Sequence, residues 1–204
     1  ITCDVGIDYI SWSDIIKRVA KSSFNSITVD GDTSTNDTFL AFSSGAELDS
    51  KYISALEEGL HITAQYLAKA IARDGEGANC LLEIKVDGSQ SDLDAHIIAR
   101  TIASSSLVKT AIHGSDPNWG RIIAALGRSG IFLNISDVKL WIGPYEIFSN
   151  GIPLDFDKQQ VSNFMRARLQ GKYLIDDIIS IRVRVGEGKG SATAWGCDLS
   201  DQYV

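Results

Sequence analysis

The chain has 204 residues, of which 44% are hydrophobic and 22% are charged, and this balance is typical of a globular protein rather than a disordered one. Its net charge of -7 opposes binding to nucleic acid and to anionic membrane surfaces, and no apolar run approaches the ~20 residues that span a bilayer. Three scattered cysteines (Cys3, Cys80 and Cys197) match neither a disulfide framework nor a zinc motif. We therefore expect buried free thiols and a cytoplasmic protein.

The first third of the chain is predicted to contain two helices and a β-hairpin. Ser11 and Ser13 precede an amphipathic run, so a helix is expected there and should end near Asn25. β-branched and aromatic residues predict strands at 27–29 and 38–42, which we expect to pair as a hairpin around the polar loop between them. Apolar residues then recur every three to four positions over 49–73, and this spacing predicts the longest helix.

The rest of the chain is predicted to alternate strands and helices. Strands are expected at 80–86, 138–142, 145–148, 178–185 and 191–197, the first of them buried and the last two forming a pair joined by a glycine-rich turn. Helices are expected at 91–104, 118–127 and 157–169. The order predicts an α+β fold with a layered sheet-and-helix unit over residues 1–130 and a smaller α/β region over residues 131–204.

Two dense polar segments, residues 30–38 and 113–121, are candidates for a role beyond connecting elements. Hydroxyl and Asx side chains commonly bond to the backbone of such loops, and contact with a ligand is the alternative. Calcium is disfavoured in the first loop, because Thr35 and Ala41 stand where an EF-hand needs Gly and Glu. The sequence leaves the roles of both loops open.

Histidines do not indicate a metal site or a hydrolytic triad. His61, His96 and His113 are far apart and lack ligand spacing, so no metal is expected. His113, Asp116 and one of the many serines supply the residue types of a catalytic triad, but no GxSxG motif is present to indicate that they form one. We expect both residues to hold their own loop, with Arg121 paired to an acid.

Glu76 is the sharpest candidate for ligand binding. It lies between two glycines in Asp74-Gly75-Glu76-Gly77, directly after the longest predicted helix. Bare backbone on both sides lets the carboxylate project into a cleft, where a substrate ammonium is its natural partner. The alternative is an exposed loop acid with no role.

Several long segments, taken together and in order, resemble the β chain of the ornithine acetyltransferase family of arginine biosynthesis. They are residues 27–38, 74–78, 107–113, 116–121 and 194–199. The family's precursor cleaves itself before a threonine, whose hydroxyl then carries the acetyl group. The resemblance therefore implies ping-pong transfer of acetyl from N-acetylornithine to glutamate through a threonine ester, without a cofactor. It also implies a separate α chain from the same precursor, an α2β2 assembly and a cytoplasmic location.

The resemblance assigns one site residue within this chain. Glu76 matches the family's substrate-binding glutamate. The nucleophilic threonine is expected a few residues before Ile1, and a tail that contributes an asparagine and a hydroxyl residue is expected after Val204, so the sequence is read as a fragment or a processed product. The same resemblance leaves open whether acetyl-coenzyme A is a donor and whether ornithine inhibits. A related N-terminal-nucleophile amidohydrolase or aminopeptidase, and a non-catalytic amino-acid-binding subunit, are the alternatives.

Overall fold

A computed structural model describes residues 1–203, which fall into two compact units. Unit 1 contains residues 1–26 and 32–68, and unit 2 contains residues 27–31 and those from 69 onward. The units do not divide near residue 130, because a strand at 81–89 lies inside the same sheet as the strands that follow residue 138. No helix within residues 1–203 combines the length and apolarity that a membrane crossing requires.

Unit 1 contains a two-stranded parallel sheet and two helices. Strand β1 (Thr2–Gly6) pairs with β2 (Phe42–Glu47). Helix α1 (Tyr9–Lys21) begins where Asp8 accepts a hydrogen bond from the Ser11 amide at 2.9 Å, and helix α2 (Ile53–Arg73) runs from unit 1 into unit 2. Ile15, Val19, Leu60 and Ala64 are buried together between the two helices. Both predicted helices are thus confirmed, with boundaries shifted by a few residues.

The predicted hairpin between residues 27–29 and 38–42 is wrong. Residues 38–41 form no strand, and the strand that begins at Phe42 pairs with β1 in parallel. Ile27 instead makes a single bridge to Trp195, and the Thr28 amide donates to the Trp195 carbonyl at 2.9 Å. The error arose because β propensity marks a strand without identifying its partner.

Unit 2 is built on a six-stranded mixed sheet whose order is β6-β5-β4-β7-β3-β8. Its strands are β3 (Leu81–Ser89), β4 (Lys139–Ile142), β5 (Tyr145–Ser149), β6 (Ile152–Pro153), β7 (Ile178–Arg184) and β8 (Gly190–Cys197). Strand β3, next to the edge strand β8, pairs in parallel with β7 and antiparallel with β8. The five predicted strands are confirmed, and together with the helices they confirm the α+β class.

The predicted pairing of β7 with β8 is wrong, since β3 lies between them. The glycine-rich turn at 186–190 therefore crosses over the end of β3 instead of closing a hairpin. The Gly188 amide donates to the Gly88 carbonyl at 2.9 Å, and a Cβ at Gly188 would lie 2.0 Å from the Ser89 carbonyl oxygen. Glycine is required there because the two backbones touch.

Four further helices complete unit 2, and three of them were predicted. They are α3 (Asp92–Ala103), α4 (Ser106–His113), α5 (Trp119–Gly127) and α6 (Lys158–Leu169). Alternate residues of β3, β7 and β4 point into the core that these helices cover, including Ile84, Ile181 and Leu140. The opposite face carries a smaller cluster at one end, formed by Ala72, Leu81 and Trp195 with their neighbours.

Candidate functional site

The predicted binding residue Glu76 lies on an exposed turn at the end of α2. The helix closes with a hydrogen bond from the Asp74 amide to the Ala70 carbonyl, and the turn closes with one from the Ala78 amide to the Gly75 carbonyl, both at 2.9 Å. Within residues 1–203, the Glu76 carboxylate has no hydrogen-bond or ion-pair partner. A charged side chain is thereby left free on a defined backbone. We call residues 74–77 the Glu76 turn.

The two glycines of the Glu76 turn allow it to lie directly on neighbouring segments. A Cβ at Gly75 would lie 2.7 Å from the Cys197 sulfur and 3.0 Å from a Val29 methyl carbon. At Gly77 the φ angle is +68°, and a Cβ would lie 2.7 Å from the Ser200 hydroxyl oxygen. Sterics select glycine at both positions, and the backbone conformation selects it at Gly77 as well.

A buried carboxylate, Asp198, fixes the chain that leaves the turn. Its side chain is fully buried and accepts four hydrogen bonds: from the Asn79 amide at 2.7 Å, the Cys80 amide at 3.0 Å, the Asn79 side-chain nitrogen at 3.2 Å and His113 Nδ1 at 2.9 Å. Burial alone would raise the pKa of Asp198, but the hydrogen bonds from His113 and the two amides outweigh it, so the pKa lies below its ordinary value. Asp198 is held ionised.

Further hydrogen bonds reach the backbone of the turn itself. The Gly77 carbonyl accepts from the Ser200 hydroxyl at 2.8 Å and from the Asn79 side chain at 3.2 Å. On the other side, Arg73 donates through Nε to Asp177 at 2.5 Å and through Nη1 to the Ala78 carbonyl at 2.8 Å. The Asp177 side chain is fully buried, so Arg73 is its charge partner. The turn is thus anchored on both flanks.

A buried lysine lies beneath the turn. Lys109 of α4 donates through Nζ to the Val29 carbonyl and approaches the Cys197 sulfur at 3.4 Å. Burial raises the pKa of the Cys197 thiol more than the neighbouring ammonium lowers it, so this sulfur is a neutral thiol. We call the surface under Gly75 the floor of the turn; it is formed by Val29 and Cys197, which Lys109 joins.

Comparison with known proteins decides the family. The ArgJ family model matches residues 1–204, which is the whole chain. The chain belongs to the ArgJ family. It is 82% identical over 204 residues to the arginine biosynthesis bifunctional protein ArgJ of Prochlorococcus marinus strain NATL2A, covering 100% of this chain and 49% of that protein. It is 45% identical over 210 residues to the protein of the same name from Synechocystis sp. strain PCC 6803, covering 100% of this chain and 51% of that protein.

A solved ArgJ structure shows the same fold. The crystal structure of arginine biosynthesis bifunctional protein ArgJ from Bacillus halodurans superposes with a TM-score of 0.92 at 37% identity, covering 100% of this chain and 95% of that chain. The family resemblance and the fold expected from the sequence are therefore confirmed. The chain spans about half the length of the curated ArgJ relatives it matches.

Local hydrogen bonds form within the first polar loop. The Asn36 amide donates to the Ser34 hydroxyl at 3.1 Å, and the Thr38 hydroxyl donates to the Asn36 carbonyl at 3.2 Å. In unit 2, Asp30 accepts from the Tyr203 hydroxyl at 3.2 Å. The backbone-bonding interpretation is thus realised for residues 34–38, while ligand contact stays a prediction.

The second polar loop differs from expectation at two residues. Asp116 does hold its own loop, since it accepts from the Asn118 side chain at 2.9 Å. His113 instead bonds Asp198, and Arg121 donates to the Leu107 carbonyl at 2.9 Å and the Thr110 hydroxyl at 3.0 Å. The expected pairing of Arg121 with an acid is therefore wrong, because a backbone carbonyl and a side-chain hydroxyl of neighbouring α4 supply its acceptors.

The remaining expectations concern cysteines and metals. All three cysteines are free, with Cys80 and Cys197 buried as expected and Cys3 only half-buried. Within residues 1–203, no group of three His, Cys, Asp or Glu side chains is placed to hold a metal ion. The supporting residues Lys109, Asp198 and Arg73 were not singled out from the sequence.

Proposed function

We propose that this chain is the β chain of an arginine-biosynthesis acetyltransferase, which moves acetyl from N-acetylornithine to glutamate. Two findings support the proposal: membership of the ArgJ family over the whole chain, and the name of its relatives, arginine biosynthesis bifunctional protein. Since those relatives are about twice as long, we propose that an α chain from the same precursor completes the enzyme as an α2β2 assembly in the cytoplasm.

The proposed reaction proceeds in two halves through a threonine that precedes residue 1. The threonine hydroxyl attacks the acetyl carbonyl, the amide C–N bond breaks, and ornithine leaves with the proton on its amine. The glutamate amine then attacks the ester, the acyl C–O bond breaks, and the threonine recovers its proton. Atoms and charge balance without a cofactor or metal.

The observation that carries this proposal is the free carboxylate of Glu76 on an anchored turn. Bonds to Gly77, Ala78 and Asn79 fix the backbone, yet the carboxylate has no partner within residues 1–203. A carboxylate without an internal partner on a fixed backbone is available to a ligand of opposite charge. We assign Glu76 to the free ammonium of N-acetylornithine.

Glu76→Gln tests this assignment, because it removes the charge and keeps the shape. A hydrogen bond to a charged group contributes about 1.5–3 kcal/mol, so KM for N-acetylornithine should rise about 10- to 150-fold. The KM for glutamate as acceptor should change much less. Steady-state assays of the full-length gene product measure both constants.

Glu187→Gln is the matched control. Glu187 also lies between two glycines and its side chain is 89% exposed, but it pairs with Arg184 at 2.6 Å. This variant should retain wild-type constants. Unchanged KM in Glu76→Gln would remove the assigned role.

The acyl intermediate is tested separately by intact-mass measurement. Incubation with N-acetylornithine should add one acetyl group to the chain that begins with threonine, and added glutamate should remove it. Accumulation of free acetate without acetylglutamate would indicate the related hydrolase instead. No transfer and no acetylation would refute the proposed function.

A further inference from the structure

Lys109 is a buried cation with an unusual set of partners. It is 3% exposed, and within residues 1–203 no carboxylate oxygen lies within 4.0 Å of its ammonium. Charged side chains are almost never fully buried unless they are paired, since burial of an unpaired ammonium is costly. The partners of Lys109 are instead neutral: the Val29 carbonyl and the Cys197 thiol at 3.4 Å.

Both partners touch the Glu76 turn. The positions nearest to a Cβ on Gly75 are the Cys197 sulfur at 2.7 Å and a Val29 methyl carbon at 3.0 Å. Lys109 therefore connects the two segments that lie against Gly75, one containing Val29 and the other Cys197. Its own carbonyl also accepts from the Leu199 amide at 3.3 Å, which links α4 to the segment after β8.

The chemistry of the floor explains why an ammonium is useful there. Val29 precedes Asp30 in a segment with little regular structure, so its carbonyl needs a donor from another element. An ammonium supplies up to three donors and can bond two acceptors at once. An apolar side chain of similar length would fill the volume but leave Val29 and Cys197 unconnected.

We propose that Lys109 is a positioning residue for substrate binding: by tying Val29 to Cys197 it holds Gly75, and thus sets where the Glu76 carboxylate reaches. This inference rests on the proposed function of Glu76. Lys109 does not contact the substrate, but it determines how closely the Glu76 carboxylate approaches the substrate's ammonium.

Lys109→Met in the full-length gene product removes the donors and keeps an unbranched side chain. If Glu76 is no longer positioned, substrate binding should lose the equivalent of one charge-assisted hydrogen bond. KM for N-acetylornithine should therefore rise about 10-fold, with kcat within about 2-fold of wild type. Lys109→Arg keeps a donor for Val29 and should recover most of the wild-type KM.

If Lys109 only stabilised the fold, its loss would lower Tm without changing KM. Val161→Ala is the control that should show this pattern. Val161 is buried in α6, away from the turn's contacts, and its truncation should lower Tm without changing KM. Lys109→Met should instead change KM at temperatures where the protein is fully folded. A lower Tm with wild-type KM would overturn the inference.

The double variant with Glu76→Gln shows whether Lys109 acts through Glu76. If it does, KM of the double variant should equal that of Glu76→Gln alone, because the charge being positioned is already gone. Multiplication of the two effects would overturn the inference. Should Lys109→Met not fold, Cys197→Ala removes the other floor contact; a KM rise that vanishes in the Glu76→Gln background supports the inference, and a wild-type KM overturns it.

Failure of this inference differs from failure of the proposed function. If the wild-type protein transfers acetyl and Glu76→Gln raises KM while Lys109→Met does not, only the role of Lys109 is lost. If the wild-type protein transfers no acetyl from N-acetylornithine, the proposed function itself is lost.

Discussion

Replacing Asp198 should be among the most damaging single changes near the Glu76 turn. Asp198→Ala leaves the buried amides of Asn79 and Cys80 without their acceptor and removes the partner of His113 Nδ1. Breaking a buried charged network by deleting one partner costs about 3–5 kcal/mol. The full-length gene product is expected to be about twice as long as this chain, so about 1–2 °C of Tm per kcal/mol gives a fall of about 3–10 °C.

The isosteric variant Asp198→Asn separates charge from shape. Its amide oxygen can still accept from the Asn79 and Cys80 backbone, so we expect a loss of about 1–2 kcal/mol instead. Calorimetric Tm values of the full-length gene product at neutral pH measure both variants. The reasoning is refuted if the alanine variant loses less than about 1 kcal/mol, or if the two variants are equally unstable.

Acid titration checks the same carboxylate independently. The pKa of Asp198 is lowered from 3.8 on folding, so its contribution is fully present above the unfolded pKa and is lost as pH falls through the folded pKa. The stability difference between wild type and Asp198→Asn should therefore shrink as the pH falls below about 4. A difference that grew in acid would contradict the assigned direction.

Two further variants test the anchoring of the turn. Gly75→Ala places a methyl group 2.7 Å from the Cys197 sulfur, so it should lower the free energy of unfolding by about 1–3 kcal/mol and raise KM for N-acetylornithine. If neither quantity changed, Val29 and Cys197 would have to move aside without cost, and the anchoring would be refuted. Arg73→Met leaves the buried Asp177 carboxylate without its charge partner and should lower the free energy of unfolding by about 3–5 kcal/mol. Combining it with Asp177→Leu removes the unpaired charge and should recover much of that loss. Urea unfolding measures both variants.

Elements with a strong local pattern could be predicted, while their pairing could not. The apolar spacing over 49–73 located α2, and Asn118 located the start of α5, where it caps the Arg121 amide at 3.2 Å. Strand partners depend on chain segments far apart, which is why β7 and β8 were expected side by side although β3 separates them. The glycines at 186–190 fit either arrangement, because both a tight turn and a close backbone crossing need them.

The site divides in the same way between local and distant information. Glu76 could be recognised because its flanking glycines are adjacent in sequence. Asp198 acts on Asn79 across 119 residues and Lys109 acts on Val29 across 80, so no short motif shows their partners. A residue's environment, rather than its type, gives these two charges their roles.

Helix α4 shows what signal was available for Lys109. Its eight residues follow α3 closely, and its N-cap Ser105 makes no side-chain capping bond, so the usual start signal is weak. Once residues 106–113 are taken as a helix, Lys109 lies one and three positions from the buried residues Val108 and Ile112, on the face turned to the core. A lysine on a buried helix face has to find acceptors inside the protein, and the nearest supply is irregular backbone such as residues 27–31. A buried ammonium needs hydrogen-bond acceptors, and this need explains why Lys109 bonds the segment next to the Glu76 turn.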